Sequence, residues 1–134
     1  MNNESFSISL RTWHPAMSAD ALIQKIGLQP EIACSVGSRR ANPSGELLDG
    51  FYPTSYCCFD MVREGFGDFT EALAPLLDQL DGKEDAFRQI ASTGGRSELY
   101  VGVFVEGSSG FTLTGADIKR LAELSLELSV EVYP

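Results

Sequence analysis

Both ends of the chain alternate, and this constrains the fold more than any other feature of the sequence. In SFSISLRTW, Phe6, Ile8 and Leu10 alternate with Ser5, Ser7, Ser9 and Arg11. In LELSVEVY, Leu126, Leu128, Val130 and Val132 alternate with Glu127, Ser129 and Glu131. A period of two with one polar side marks a strand that buries one face and wets the other. A sheet made of such strands is covered by helices on one side only, since a second layer would take the serines and glutamates out of water. The fold class is therefore an α+β two-layer sandwich.

The interior of the chain fits that frame. In SELYVGVFVEG, Leu99, Val101, Val103 and Val105 oppose Tyr100, Gly102 and Phe104, so both faces are mostly apolar and the strand belongs inside the sheet. MSADALIQKIGL reads as a helix, with Ser18 as N-cap, Leu22, Ile23 and Ile26 on one face, and Gly27 past the end before Pro30. EIACSVG and SYCCFDMV read as strands, the second placing Tyr56, Cys58, Asp60 and Val62 on one face. Asp68-x-x-Glu71 predicts a capping box ahead of the stripe Leu73, Leu76, Leu77 and Leu80, with Pro75 either kinking that helix or sitting in its early turns. KEDAFRQIAS points Phe87, Ile90 and Ala91 inward. Thr114 caps the last helix, with Asp117 at its third position and a Leu113–Ile118 staple.

The resulting order is strand, helix, strand, loop, strand, helix, helix, strand, helix, strand. It predicts a ferredoxin-like βαββαβ core with an additional C-terminal αβ unit. A length of 134 residues suits a single domain spanning residues 1–134.

The stretch GSRRANPSG opens the longest segment without periodicity, residues 37–55. It is not a phosphate-binding P-loop: Gly37 and Gly45 are too far apart, no lysine follows, Pro43 lacks an N–H, and no helix signal comes next. Two readings stay open. Arg39 and Arg40 can clamp a carboxylate or phosphate near Trp13 and His14, or they belong to a polar connection and pair with the chain's own carboxylates, Asp60 first. Asp60 draws notice because it lies within an apolar strand, where a carboxylate needs a partner unless that side is wet.

Net charge is −9, and residues 46–85 hold ten acids against Arg63 and Lys83, which is eight of those nine charges. Such a chain repels phosphate backbones, so nucleic acid is excluded as a partner and a basic protein is favoured. Three cysteines, Cys34, Cys57 and Cys58, are too few for a disulfide framework and read as free thiols of a reducing cytoplasm. With His14 as the single histidine and no CxxC spacing, no metal or cofactor is expected. His14 reads as a loop or rim residue. There is no apolar run long enough for a bilayer, and MNNESFSISL lacks the pattern of a signal peptide. No nucleophile–base pairing or cofactor fingerprint marks an enzyme.

Several pieces lie in a familiar order: SISLRTW, LIQKIGLQP, Gly37-Ser38-Arg39, ALAPLLDQL and GFTLTGADIKRLAELSLELSVEVY. Together they resemble the bacterial domain-of-unknown-function family 4279 over nearly the whole chain. Where that pattern leads one to expect a tryptophan opening the middle strand, this chain has Tyr56 and the cysteine pair. The resemblance implies no established activity and no catalytic residues, and it points to an immunity role beside bacterial toxins. The expected function is thus a non-enzymatic, cytoplasmic protein-binding domain, an immunity-like inhibitor meeting a basic, toxin-like partner through its acidic segment. The alternative is a small anionic-ligand binding domain using Arg39 and Arg40, with Trp13, His14 and Asp60 nearby.

Overall fold

The computed structural model describes residues 4–134. Met1, Asn2 and Asn3, part of the stretch read above for a leader, lie outside the described residues. The elements are β1 (Ser5–His14), α1 (Ala19–Ile26), β2 (Ile32–Cys34), β3 (Arg39–Ala41), β4 (Leu47–Phe51), β5 (Ser55–Phe66), α2 (Thr70–Gln79), α3 (Glu84–Ser92), β6 (Arg96–Phe104), α4 (Gly115–Glu123) and β7 (Leu126–Tyr133).

Five strands form one sheet in the order β2-β5-β1-β6-β7. β1 runs antiparallel to both β5 and β6, and β2 antiparallel to β5. β7 returns parallel to β6 through α4. As the alternation requires, Phe6, Ile8, Leu10, Thr12 and His14 of β1 are buried, while Ser5, Ser7, Ser9, Arg11 and Trp13 face the other way. Leu99, Val101 and Val103 of β6 lie opposite Leu10, Ile8 and Phe6 and join the same core. All four helices contribute to it, through Leu22 and Ile26, Leu73 and Leu77, Phe87 and Ile90, and Leu121. Each fully buried side chain of this kind contributes roughly 1.5–3 kcal/mol, so the helix layer is held on one face by the leucine and isoleucine stripes.

The helix ends follow the local chemistry. Ser18 accepts from the Ala21 N–H, Thr114 accepts from the Asp117 N–H, and Gly27 closes α1 at φ 77°. The Asp68 capping box does not form. The Asp68 carboxylate instead accepts from the Thr70 N–H at 3.0 Å and the Thr70 hydroxyl at 2.8 Å, so α2 starts at Thr70. α2 runs through Pro75, which sits on its exposed side.

The segment read as a structureless loop contains a hairpin, β3–β4, with Arg39 opposite Phe51 and Ala41 opposite Leu47. Asn42 closes its turn: the carboxamide oxygen accepts from the Ser44 N–H at 3.1 Å and the Glu46 N–H at 2.8 Å. Gly45, at φ 87°, completes the reversal. Both strands are short and largely exposed, so neither acquires the apolar alternation that would announce it.

Candidate functional site: the uncovered sheet face

The face of the sheet opposite the helices carries a connected set of aromatic and charged side chains. Cross-strand partners share a face, so the register defines it. Trp13 lies between Tyr56 and Arg96, and Arg11 between Cys58 and Glu98. Tyr100 neighbours Ser9 and Ser129, and Phe104 neighbours Ser5 and Tyr133.

At one end, Arg11 lies between two rings, its guanidinium carbon 4.3 Å from the Tyr100 centroid and 5.1 Å from that of Trp13. Arg96 stacks on Trp13 at 4.3 Å, and Tyr56 packs against Trp13 with centroids 5.3 Å apart. These cation–π contacts fix two flexible cations in place. Glu98, only 1% exposed, organises them. Its Oε1 accepts from Arg11 Nε at 2.8 Å and Nη2 at 2.5 Å. Its Oε2 accepts from Arg96 Nη2 at 3.2 Å and from the Ser129 hydroxyl at 2.7 Å. Arg96 also reaches Glu127 at 3.0 Å. With both arginines so paired, the cluster offers planar cationic and aromatic surface rather than an unpaired anion clamp.

Glycine shapes this end. A Cβ on Gly95 would lie 2.6 Å from the main-chain oxygen of Trp13, so only glycine lets β6 begin here. Burial and the Cys58 thiol push the Tyr56 phenol up to about 12, against the opposing pull of Arg11, and it stays a neutral hydroxyl.

At the other end, Phe104 and Tyr133 stack at 5.0 Å. Tyr100 and Tyr133 both donate to Glu131, and their hydroxyls lie 2.7 Å apart. Those bonds to the phenols hold the Glu131 carboxyl below its ordinary range. Ser5, Ser7 and Ser9 run between the two ends along β1, leaving a floor of short side chains.

The residues singled out in the sequence fall in different places. Trp13 is on this face. His14, its neighbour, points to the opposite side and is 2% exposed, because alternation sends consecutive residues apart. His14 nevertheless lines, with Trp13, Pro15, Thr54, Gly94 and Arg96, a hollow at the end of β1, so these two expected site residues do meet at one rim. The His14 Nδ1 accepts from the Ala16 and Met17 N–H groups at 3.0 and 2.8 Å, which places the ring proton on Nε2, 2.8 Å from the Thr93 hydroxyl. His14 holds the turn from β1 into α1, and burial lowers its pKa. Arg39 and Arg40 are exposed on β3 and donate to the main-chain oxygens of Leu48 at 3.1 Å and Asp49 at 3.4 Å. Asp60 is exposed on β5 and pairs with Arg63 at 3.5 Å. Among the described residues, no hydrogen bond, ion pair or ring contact joins Arg39 or Arg40 to Trp13, His14 or Asp60, so the expected self-pairing with Asp60 does not form. The acids of residues 46–85 are divided among the hairpin, β5, α2, α3 and the connections on either side of α2.

Arg11, Arg96, Glu98 and Tyr100 are what the sequence reading missed. The signal is in the sequence: the positions of β1 and β6 that share the face opposite the core spell Arg11-Trp13, and Arg96-Glu98 ahead of Tyr100. Among the described residues, no three His, Cys, Asp or Glu side chains are grouped to hold a metal ion, and no helix is long and apolar enough to cross a membrane.

Fold and face together define an α+β domain with one uncovered sheet surface bearing clustered aromatics and arginines. A family model described as a domain of unknown function, DUF4279, matches residues 4–134, and the chain belongs to that family. No curated protein and no solved structure matches the chain.

Proposed function

We propose that this is a non-enzymatic protein-binding domain that acts in the cytoplasm as an immunity-like inhibitor of a basic, toxin-like protein. The observation that carries the reading is the fixed cluster of Trp13, Tyr56, Tyr100, Arg11 and Arg96 on a sheet face no helix covers. Tryptophan, tyrosine and arginine are the residues that dominate binding energy at protein interfaces, and those locked in one rotamer lose least entropy on binding. The net charge of −9 favours a basic partner and speeds its approach. The strand order and the antiparallel pairs of β2, β5, β1 and β6 support reading them as a ferredoxin-like core, to which α4 and β7 add the C-terminal unit.

Affinity capture with the immobilised chain tests the reading. A basic protein is retained by the wild type, released as salt rises from about 50 to about 300 mM in line with screening, and not retained by Trp13→Ala/Arg96→Ala. Capture of the same proteins by both forms, or of none, contradicts it. The anionic-ligand alternative has less support, because Arg39 and Arg40 are bound to their own hairpin and stand apart from Trp13 in the contact network.

A further inference from the structure

We infer that the groove between β2 and the β3–β4 hairpin takes an extended, basic-apolar peptide segment of a partner protein as an additional strand on β2; this rests on the protein-binding reading and deepens it.

β2 is the last strand of the sheet on its side, so its outward N–H and C=O groups face no further strand. Beside it lies a cleft of about 540 Å³. Successive residues of a strand point to opposite faces, yet Ile32, Ala33 and Cys34 all line this one cleft. A hollow touching three consecutive strand residues runs along the edge rather than over a face, which is where a sixth strand would lie. Its far wall is the hairpin, through Ala41, Pro43 and Tyr52. The Tyr52 hydroxyl donates to the Ala41 carbonyl and accepts from the Ala41 N–H, both at 3.1 Å, and so braces that wall. Among the described residues, no main-chain hydrogen bond joins the hairpin to β2.

The outward main-chain groups of this short edge, beside an apolar trough, are matched by a polypeptide backbone with apolar side chains at alternate positions. The charge on the peptide follows from the lining. Glu31 is the one charged residue in the cleft wall among the described residues, and Asn42 on the opposite wall holds Glu46 at 3.1 Å. Glu31 Oε2 accepts from the Asp60 N–H at 2.6 Å, while Arg63 reaches Oε1 only at 3.9 Å and is largely exposed, so Oε1 is open to a cation of the peptide. Ile32, 57% exposed and, like Ile118 at 52%, outside the core that takes the isoleucines of β1, α1 and α3, is the side chain such a strand would cover.

Panning the full chain against a phage-displayed library of random dodecapeptides tests the inference. Enriched peptides alternate apolar residues with Lys or Arg, and their binding slows amide hydrogen exchange at residues 32–34. Ile32→Lys and Ala33→Trp, both at exposed positions, keep the wild-type melting temperature and weaken the peptides at least tenfold. Gln79→Ala, at an exposed position of α2, leaves peptide affinity unchanged. No enrichment, equal binding to the two edge variants, or exchange protection confined to the Trp13 face overturns the inference. In the last case the protein-binding reading survives, whereas its own failure is read separately, as loss of partner capture by the wild type.

Discussion

Replacing Glu98 by glutamine removes one charge and almost no volume from the centre of the uncovered face. In the native chain Oε1 takes two bonds from Arg11, and Oε2 takes one each from Arg96 and Ser129. In Glu98→Gln the amide oxygen still accepts from Arg11, while the new NH2 group turns toward Ser129, whose hydroxyl rotates to accept. What is lost is the charge assistance in the two Arg11 bonds. A bond between two charged groups sits near the top of the roughly 1.5–3 kcal/mol range for charged hydrogen bonds and one in which only Arg11 is charged near its bottom, so the loss is about 1 kcal/mol per bond. Arg96, half-exposed and already bonded to Glu127, adds little. Glu98→Gln therefore costs about 2 kcal/mol, or on the order of 6–8 °C in Tm for a chain of this size. Glu98→Ala leaves the part-buried Arg11 unpaired and costs about 3 kcal/mol, and Arg11→Met/Glu98→Met is closer to wild type than Glu98→Ala alone. Urea titration followed by circular dichroism reads all three. A Glu98→Gln variant within about 0.5 kcal/mol of wild type, the spread of an ordinary surface substitution, would refute the claim that this carboxylate holds the face together.

Three further outcomes follow from other contacts. His14 is buried and neutral, so its folded pKa lies below the ordinary value of 6.5; its stabilisation is complete above about pH 6.5 and is lost as pH falls through the folded value. Stability measured from pH 7 to pH 5 declines with proton uptake on unfolding, and His14→Gln flattens that decline; an unchanged slope contradicts the burial argument. Burial first, then the nearby Cys34, Asp20 and Cys58, push the Cys57 thiol up to about 11, and burial raises Cys34. At pH 8 a colorimetric thiol reagent finds neither reactive on the fast timescale of a free thiol, but all three cysteines react in urea; fast labelling of Cys57 in the native chain would sink this. Gly95→Ala places a methyl group 2.6 Å from a main-chain oxygen that cannot swing away, and costs at least about 1–3 kcal/mol by thermal melting.

The sandwich was legible because its signals are collective. Alternation in β1 and β7 and apolar spacing in α1 through α4 repeat over eight or more residues; burial follows that period in β1, whereas in the edge strand β7 only Leu126 is buried and Val132 is exposed. The hairpin was illegible because β3 has three residues and β4 none that are buried, leaving only Asn42 and Gly45 as turn signals. Trp13 could be picked as a site residue from its position at a strand end. His14 turns to the other side of the strand, yet the two still meet at the strand end, where both line one hollow. Asp60 drew attention for lying in an apolar strand, yet β5 turns that side to solvent and Arg63 meets it. The buried Glu98 carries no such mark in the sequence: its partners Arg11 and Ser129 are 87 and 31 residues away, and only the pairing of β1, β6 and β7 brings them together.

The central claim, that the uncovered face meets another protein, is tested most directly by a photo-crosslinker on each side of the molecule. Placed at Tyr100 in the middle of the face, it should couple to one basic protein in cells. Placed at the exposed Gln79 on the helix layer, it should couple to none. Crosslinks from Gln79 with none from Tyr100 would contradict the account.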